Sequence, residues 1–279
     1  MYPLKKILFS LFILFLLSVT TAFSQTLRKP VSAIYLGLSA YSTDHTDVFS
    51  FVHNQASLAG AKMTSAGVYG ERRFLLAATS VYTMAIAIPT TKGNFGIDLD
   101  YAGFTNYNES QVGLAYARNL GKKIDVGIQF NYYGFNIPYY GGAATIYAEI
   151  GAIVHLTDKL NLGMHIYNPT GGNFARTSEK LTSIFTSGIG YDASDNFFVG
   201  AEVVKEESLP VTVNAGVQYR FEKQFFARMG ISSATSSTYM GFGVAWDIFR
   251  IDVSVSNHPQ LGISPGLLFI MNFGKKKNV

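Results

Sequence analysis

The chain has 279 residues, 48% of them hydrophobic and only 14% charged, and 22 basic against 18 acidic residues give a formal charge of +4. An average soluble protein carries about 25% charged residues, so this one is short of solvating surface, which excludes a disordered chain or a coiled coil. The basic residues are scattered instead of gathered into a stripe, which argues against a nucleic-acid partner; the absence of cysteine removes disulfides, thiolate metal sites and thiol catalysis.

Lys5 and Lys6 precede an apolar run from Ile7 to Leu17, with small and polar residues following to Ser24. This order reads as a secretory signal peptide over residues 1–24. The run is too short for a transmembrane anchor, which needs about 20 apolar residues. Residues 25–63 then form a separate segment, and from Thr64 the apolar period becomes two.

Lys123-Ile124-Asp125-Val126-Gly127-Ile128-Gln129-Phe130-Asn131-Tyr132 shows the period best: even positions are apolar or aromatic, odd ones charged, amide or glycine. One face suits lipid and the other a wet interior. The pattern recurs in fourteen candidate strands, over about 64–71, 74–88, 94–104, 109–119, 123–136, 144–155, 159–167, 183–191, 196–204, 211–220, 224–232, 239–247, 249–257 and 265–273. Connections at one end are short and those at the other generally longer, as in outer-membrane barrels, although a tight first hairpin at Glu71 to Arg73 breaks the rule. In hydrocarbon every backbone N–H and C=O must be paired internally, so strands can span only as a closed barrel. The expected architecture is therefore all-β, a transmembrane antiparallel barrel of about 14 strands over residues 64–273, with 25–63 plugging or lining its lumen and a solvated basic tail over 274–279. A soluble β-sandwich is the structural alternative. Tyr132, Tyr133, Tyr139, Tyr140, Tyr239 and Trp246 are candidates for interfacial aromatic girdles.

Residues 33–60 contain Ala33-Ile34-Tyr35-Leu36-Gly37-Leu38-Ser39-Ala40-Tyr41, then Asp47, then Asn54-Gln55-Ala56-Ser57-Leu58-Ala59-Gly60. This resembles the opening of the PorV/PorQ family of outer-membrane barrels, distant relatives of the FadL fatty-acid transporters, in which a motif of the form Asn-Pro-Ala-Gly-Leu-Ala precedes the first long strands. Asn54, Ala56, Leu58 and Ala59 match that motif, whereas Gln55 stands for the Pro and Ser57 for the Gly. The turns around Leu120-Gly121-Lys122-Lys123 and Leu156-Thr157-Asp158-Lys159 are similar as well. The resemblance implies a barrel of about fourteen strands with its N-terminal segment in or against the lumen, serving type IX protein secretion or carrying hydrophobic molecules across the outer membrane.

Signs of catalysis are few. Gly262-Ile263-Ser264-Pro265-Gly266 fits the G-x-S-x-G pattern, with Asp252 and His258 nearby, but a nucleophile elbow joins a strand to a helix. Ser264 is placed instead in a loop before the last strand, and Pro265 removes one oxyanion donor. The five histidines show no metal-binding spacing. The chain reads as a non-enzyme without cofactor. The candidate functional surface is the inward-facing set Asp98, Asp100, Gln111, Arg118, Asp125, Gln129, Asn131, Glu149, His165, Glu202, Gln218, Arg220, Arg228, Arg250 and Asp252, whose mixed signs suit a hydrated, cross-braced lumen better than a strongly ion-selective pore.

Two functional readings follow. The first is an accessory or structural outer-membrane component of type IX secretion, acting through loops such as 168–182. The alternative is a FadL-like channel for small hydrophobic molecules. The expected partners are outer-membrane lipid and, according to the reading, secretion-system proteins or a small hydrophobic ligand.

Overall fold

The computed structural model describes residues 37–172, 174, 181–207, 209–222, 224–234 and 236–274. The expected signal peptide, residues 25–36 and tail residues 275–279 lie outside the described residues. Period-two alternation forms fourteen strands: β1 Thr64–Arg72, β2 Ser80–Pro89, β3 Asn94–Phe104, β4 Tyr107–Asn119, β5 Ile124–Ile137, β6 Gly141–His155, β7 Leu160–Tyr167, β8 Ile184–Ser194, β9 Phe197–Glu206, β10 Thr212–Phe221, β11 Phe225–Ser232, β12 Ser237–Trp246, β13 Phe249–His258 and β14 Gly262–Phe273. Each strand pairs antiparallel with the next, and β14 returns to β1 with a register running from Thr64 opposite Phe273 to Glu71 opposite Gly266. The result is one closed 14-stranded barrel.

Side-chain direction identifies the solvent that this barrel is built for. On β5, Asp125, Gly127, Gln129 and Asn131 are buried, whereas Ile124, Ile128, Phe130 and Tyr132 are exposed. On β13, Asp252, Ser254 and Ser256 are buried while Phe249, Ile251 and Val253 are exposed. An apolar exterior around a polar interior is the reverse of a β-sandwich, whose apolar faces meet in the middle. This arrangement overturns the soluble alternative, because exposing such a belt to water would cost about 25 cal/mol per Å².

Several expectations need correction. The first hairpin is not tight: β1 ends at Arg72 and β2 begins at Ser80. The intervening 73–79 reads as strand because it is apolar, yet Phe74 and Leu75 take φ of 53° and 58°, a conformation no strand tolerates, and the Phe74 N–H donates to Ser264 Oγ at 2.9 Å. This connection lies at the same end as 168–183, so the first hairpin does not break the length rule. That rule is nonetheless weaker than expected, since strands run on and leave only 105–106, 138–140, 233–236 and 259–261 for four loops at that end. Tyr133 and Tyr239 are not girdle residues; they point into the barrel at 1% and 2% exposure. Arg118 shares the outward parity of Leu114 and Tyr116 and is exposed. Ser264 lies within β14, buried on its inner face, not in a loop.

Closure can be tested directly because the sequence has no cysteine. Val68 and Phe269 face each other across the β1–β14 seam, at the Cα separation of directly opposed residues, about 4.5–5.5 Å, which a disulfide can bridge. The double variant Val68→Cys/Phe269→Cys is expected to cross-link on oxidation and, boiled without reductant, to migrate as a looped chain distinct from the reduced linear one. Val68→Cys/Ile231→Cys is expected to remain reduced.

Candidate functional site: the lumen wall and residues 37–63

Ahead of β1 the chain makes short helical turns at Leu38–Tyr41, Ser50–His53 and Gln55–Gly60. Their side chains pack against inward-facing wall residues: Val48, Phe49, Phe51, Val52 and Leu58 share a buried cluster with Ala85, Ala87, Ala115, Ala117, Leu268 and Ile270. The wall opposite is made of small residues, which lets backbone approach backbone. A Cβ on Gly127 would strike the backbone of Gln55, and one on Gly190 the carbonyl of Tyr41.

The Asn54 to Ala59 motif sits at this contact. Asn54 Oδ1 accepts from the Ala56 N–H at 3.1 Å, capping the turn, while its Nδ2 donates to the Met164 carbonyl of β7 at 3.1 Å. Ala56, Leu58 and Ala59 are buried. Asn94 Nδ2 reaches the carbonyls of Leu58, Ala59 and Ala61 at 2.7, 3.1 and 3.1 Å. Gln55, where the resembled motif has Pro, contributes a donor that Pro lacks: its Nε2 lies 2.8 Å from Glu149 Oε2.

The predicted inward set separates into three groups. The first joins β3 to β7: Gln129 Nε2 donates to Asp98 at 2.7 Å, Gln111 Nε2 lies 3.4 and 3.3 Å from Asp98 and Asp100, Asn131 donates to Glu149 at 2.9 Å, and His165 Nε2 lies 2.8 Å from Glu149. Tyr147 and Tyr133 complete it, donating to Gln111 at 2.6 Å and Glu109 at 2.9 Å. The second centres on Glu202, which takes hydrogen bonds from Tyr41 at 2.9 Å and Asn214 at 2.8 Å and lies 2.6 Å from His53 Nε2. Burial, then the nearby Glu202 charge, holds the Tyr41 phenol well above its ordinary pKa, so it stays a donor. The third joins Arg228 and Arg250 to Asp47 and Asp252. Arg250 lies 2.9 Å from Asp47 and also pairs with Asp252, and Arg228 lies 3.5 Å from Asp47 and 3.2 Å from Asp252. Both guanidinium groups stand over the Phe226 ring, at 4.5 and 5.6 Å.

Asp125 stands apart near the short-turn end, accepting from Asn119 at 2.6 Å and lying 3.0 Å from His155 Nε2. Arg220 lines a cavity of about 760 Å³ with Asp44, Asp47, Phe226 and Arg250, opening at the short-turn end. The sequence reading missed Tyr41, His53, Glu109, Tyr133, Tyr147 and Asp192. Asp192 anchors Ser42 at 2.5 Å and the Thr43 N–H at 2.8 Å. The 168–182 loop is only partly the expected exposed site: Pro169 and Thr170 are exposed, whereas Asn168, Phe174 and Leu181 are buried, with Phe174 and Leu181 packed on Tyr133 and Tyr147.

The G-x-S-x-G residues form no triad. Asp252 is held by two arginines, and His258 Nδ1 accepts the N–H groups of Gln260 and Leu261 at 3.1 and 3.2 Å. Among the described residues no cluster of His, Asp and Glu has the geometry of a metal site.

No protein-family pattern matches the chain, and no curated protein sequence matches it. Among solved structures the likeness is to outer-membrane β-barrels. The CymD monoaromatic hydrocarbon channel superposes with a TM-score of 0.63 at 13% identity over 85% of this chain and 95% of its own. The Pseudomonas putida toluene transporter TodX gives 0.61 at 10% identity over 82% and 95%, and a Pseudomonas aeruginosa FadL homologue 0.57 at 11% over 81% and 93%. At these identities what is shared is the fold.

The docking of residues 54–61 gives a prediction. Asn94→Ala removes the two N–H donors that reach three carbonyls, of which that of Leu58 keeps the Ala61 N–H at 3.0 Å, at about 1–3 kcal/mol for a buried group left without a donor. Hydrogen exchange across residues 55–61 is expected to accelerate while exchange in β5 and β6 stays unchanged. Equal acceleration in all of them would mean that the segment and the wall open as one unit.

Proposed function

We propose that the chain is a plugged outer-membrane channel for small hydrophobic molecules, in which residues 38–60 form the plug. The observation that carries this reading is the way that segment meets the wall, through the Tyr41–Glu202 and Asp47–Arg250 contacts of 2.9 Å each. Side-chain packing and hydrogen bonds, not strand pairing, hold it, with a cavity of about 760 Å³ beside it. Apolar side chains of Val48, Phe51, Leu58, Phe226 and Ile270 line that cavity beside Asp44, Asp47, Lys62, Arg220 and Arg250, which gives an apolar solute a surface to rest on. The fold shared with a monoaromatic hydrocarbon channel and a toluene transporter supports the same class of cargo.

The type IX accessory reading rests on the sequence resemblance at residues 33–60 and in the turns at 120–123 and 156–159, and the likeness to solved structures favours the channel. The order of the two readings from sequence is therefore reversed here.

Proteoliposome uptake tests the proposal. Wild-type barrel is expected to admit a monoaromatic hydrocarbon slowly and a neutral sugar of similar size not at all. Asp47→Ala removes one of the two carboxylates that Arg228 and Arg250 share and leaves Asp252 as the other; each loss of about 1.4 kcal/mol in the docking of the plug raises the open population tenfold. Hydrocarbon uptake should rise accordingly. No uptake by either protein, together with recovery of secretion-machinery proteins at fixed ratio from native membranes, would return the accessory role to first place.

A further inference from the structure

We infer that the barrel carries a binding site for one anionic phospholipid at its short-turn rim, between the β2–β3 turn and the end of β4. The inference takes from the proposed function only that the barrel sits in the outer membrane with its short turns in the periplasm. Both ends of the barrel, Thr64 and Phe273, lie at that end, as expected of a chain delivered from the periplasmic side.

The outward face of β4 reads Val112, Leu114, Tyr116, Arg118 towards the short turns. An apolar stretch, then an amphipathic ring, then a cation is the sequence of side chains that crosses from hydrocarbon through the interface to lipid phosphate. The neighbouring face of β3 ends on Phe95, whose ring lies 5.1 Å from that of Tyr116. The Tyr116 hydroxyl donates to the Lys92 carbonyl at 2.9 Å, tying the turn to this ring pair. At the rim by this turn is a cavity of about 430 Å³, lined by Thr90, Thr91, Lys92, Arg118 and Asn119 and, from the inner side, by Ala59, Asn94 and Ala117, with no acidic residue in its lining. Neither the Lys92 ammonium nor the Arg118 guanidinium pairs with a described carboxylate. Two uncompensated cations at the border of an apolar, aromatic surface fit a phosphodiester headgroup, with an acyl chain running along Phe95 and Tyr116. A free anion would use the cations and leave the rings idle.

The test counts lipid bound to the detergent-purified full barrel by native mass spectrometry, offering phosphatidylglycerol against phosphatidylcholine in one mixture. Wild type is expected to retain a single phosphatidylglycerol, and Lys92→Gln/Arg118→Gln to bind it roughly tenfold more weakly or worse, each basic residue near a lipid surface being worth about 1 kcal/mol. Lys122→Gln/Lys123→Gln removes the same charge from the adjacent turn outside the cavity and should weaken binding clearly less than the Lys92→Gln/Arg118→Gln pair does. Equal losses in both variants would overturn the site in favour of diffuse rim charge. Displacement of the lipid by inorganic phosphate would make it a free-anion site and overturn the lipid assignment. Indifference of the wild type to headgroup charge would end the proposal without recourse to any variant. None of these readouts involves transport, so they stand or fall separately from the uptake experiment.

Discussion

Backbone hydrogen bonding in an environment without water is the constraint on which the rest of this structure depends. An unpaired amide in hydrocarbon costs several kcal/mol, and the described residues contain no helix long and apolar enough to cross a membrane. Strands satisfy the requirement only when the sheet has no edge, which is why β14 must return to β1. Closure then assigns every side chain to one of two solvents, and alternation along each strand follows from that assignment.

An interior enclosed by fourteen strands is too wide for wall side chains to fill. The inward faces answer this with carboxylates, amides and tyrosines that hydrogen-bond across neighbouring strands, and with glycines and alanines where residues 38–60 approach. The charges are not evenly spread: the inward arginines gather on β10, β11 and β13, whereas inward acids and amides run round the wall and are densest on β3 to β6. Asp47 extends from the pre-barrel segment to the arginine sector, and Gln55 to the acidic one, so the same short segment bridges both.

Much of the fold was legible because a period of two is a local property. The bounds of β3 could be read directly, and the faces of β5 and β13 followed from their alternation. Errors arose where composition and conformation part company. Phe74 to Leu76 look like strand, yet a positive φ at Phe74 and Leu75 turns the chain. Tyr133 and Tyr239 were assigned by residue type, whereas parity puts them inside. Gly, Pro and Thr around residue 170 suggest an exposed loop, but Phe174 and Leu181 find an aromatic wall formed by other strands. The site itself was only half legible: wall acids and arginines could be picked by parity, but Tyr41 meets Glu202 across 161 residues and Asp47 meets Arg250 across 203. Nothing local in a sequence specifies contacts at that distance.

The β1–β14 register also dictates an order of assembly. Thirteen of the fourteen strand pairings join neighbours in the chain and can zip up as successive hairpins, whereas the seam joins its two far ends. The entropy of closing so long a loop must be met before the seam's hydrogen bonds reward it, so the seam forms late. Residues 38–60 precede β1 and rest on wall residues from strands all round the sheet, β2 and β14 on either side of the β1 seam included, surfaces that share one cavity only once the sheet has curled. Docking of the segment is thereby coupled to closure, because the wall it rests on is continuous only when the seam is paired.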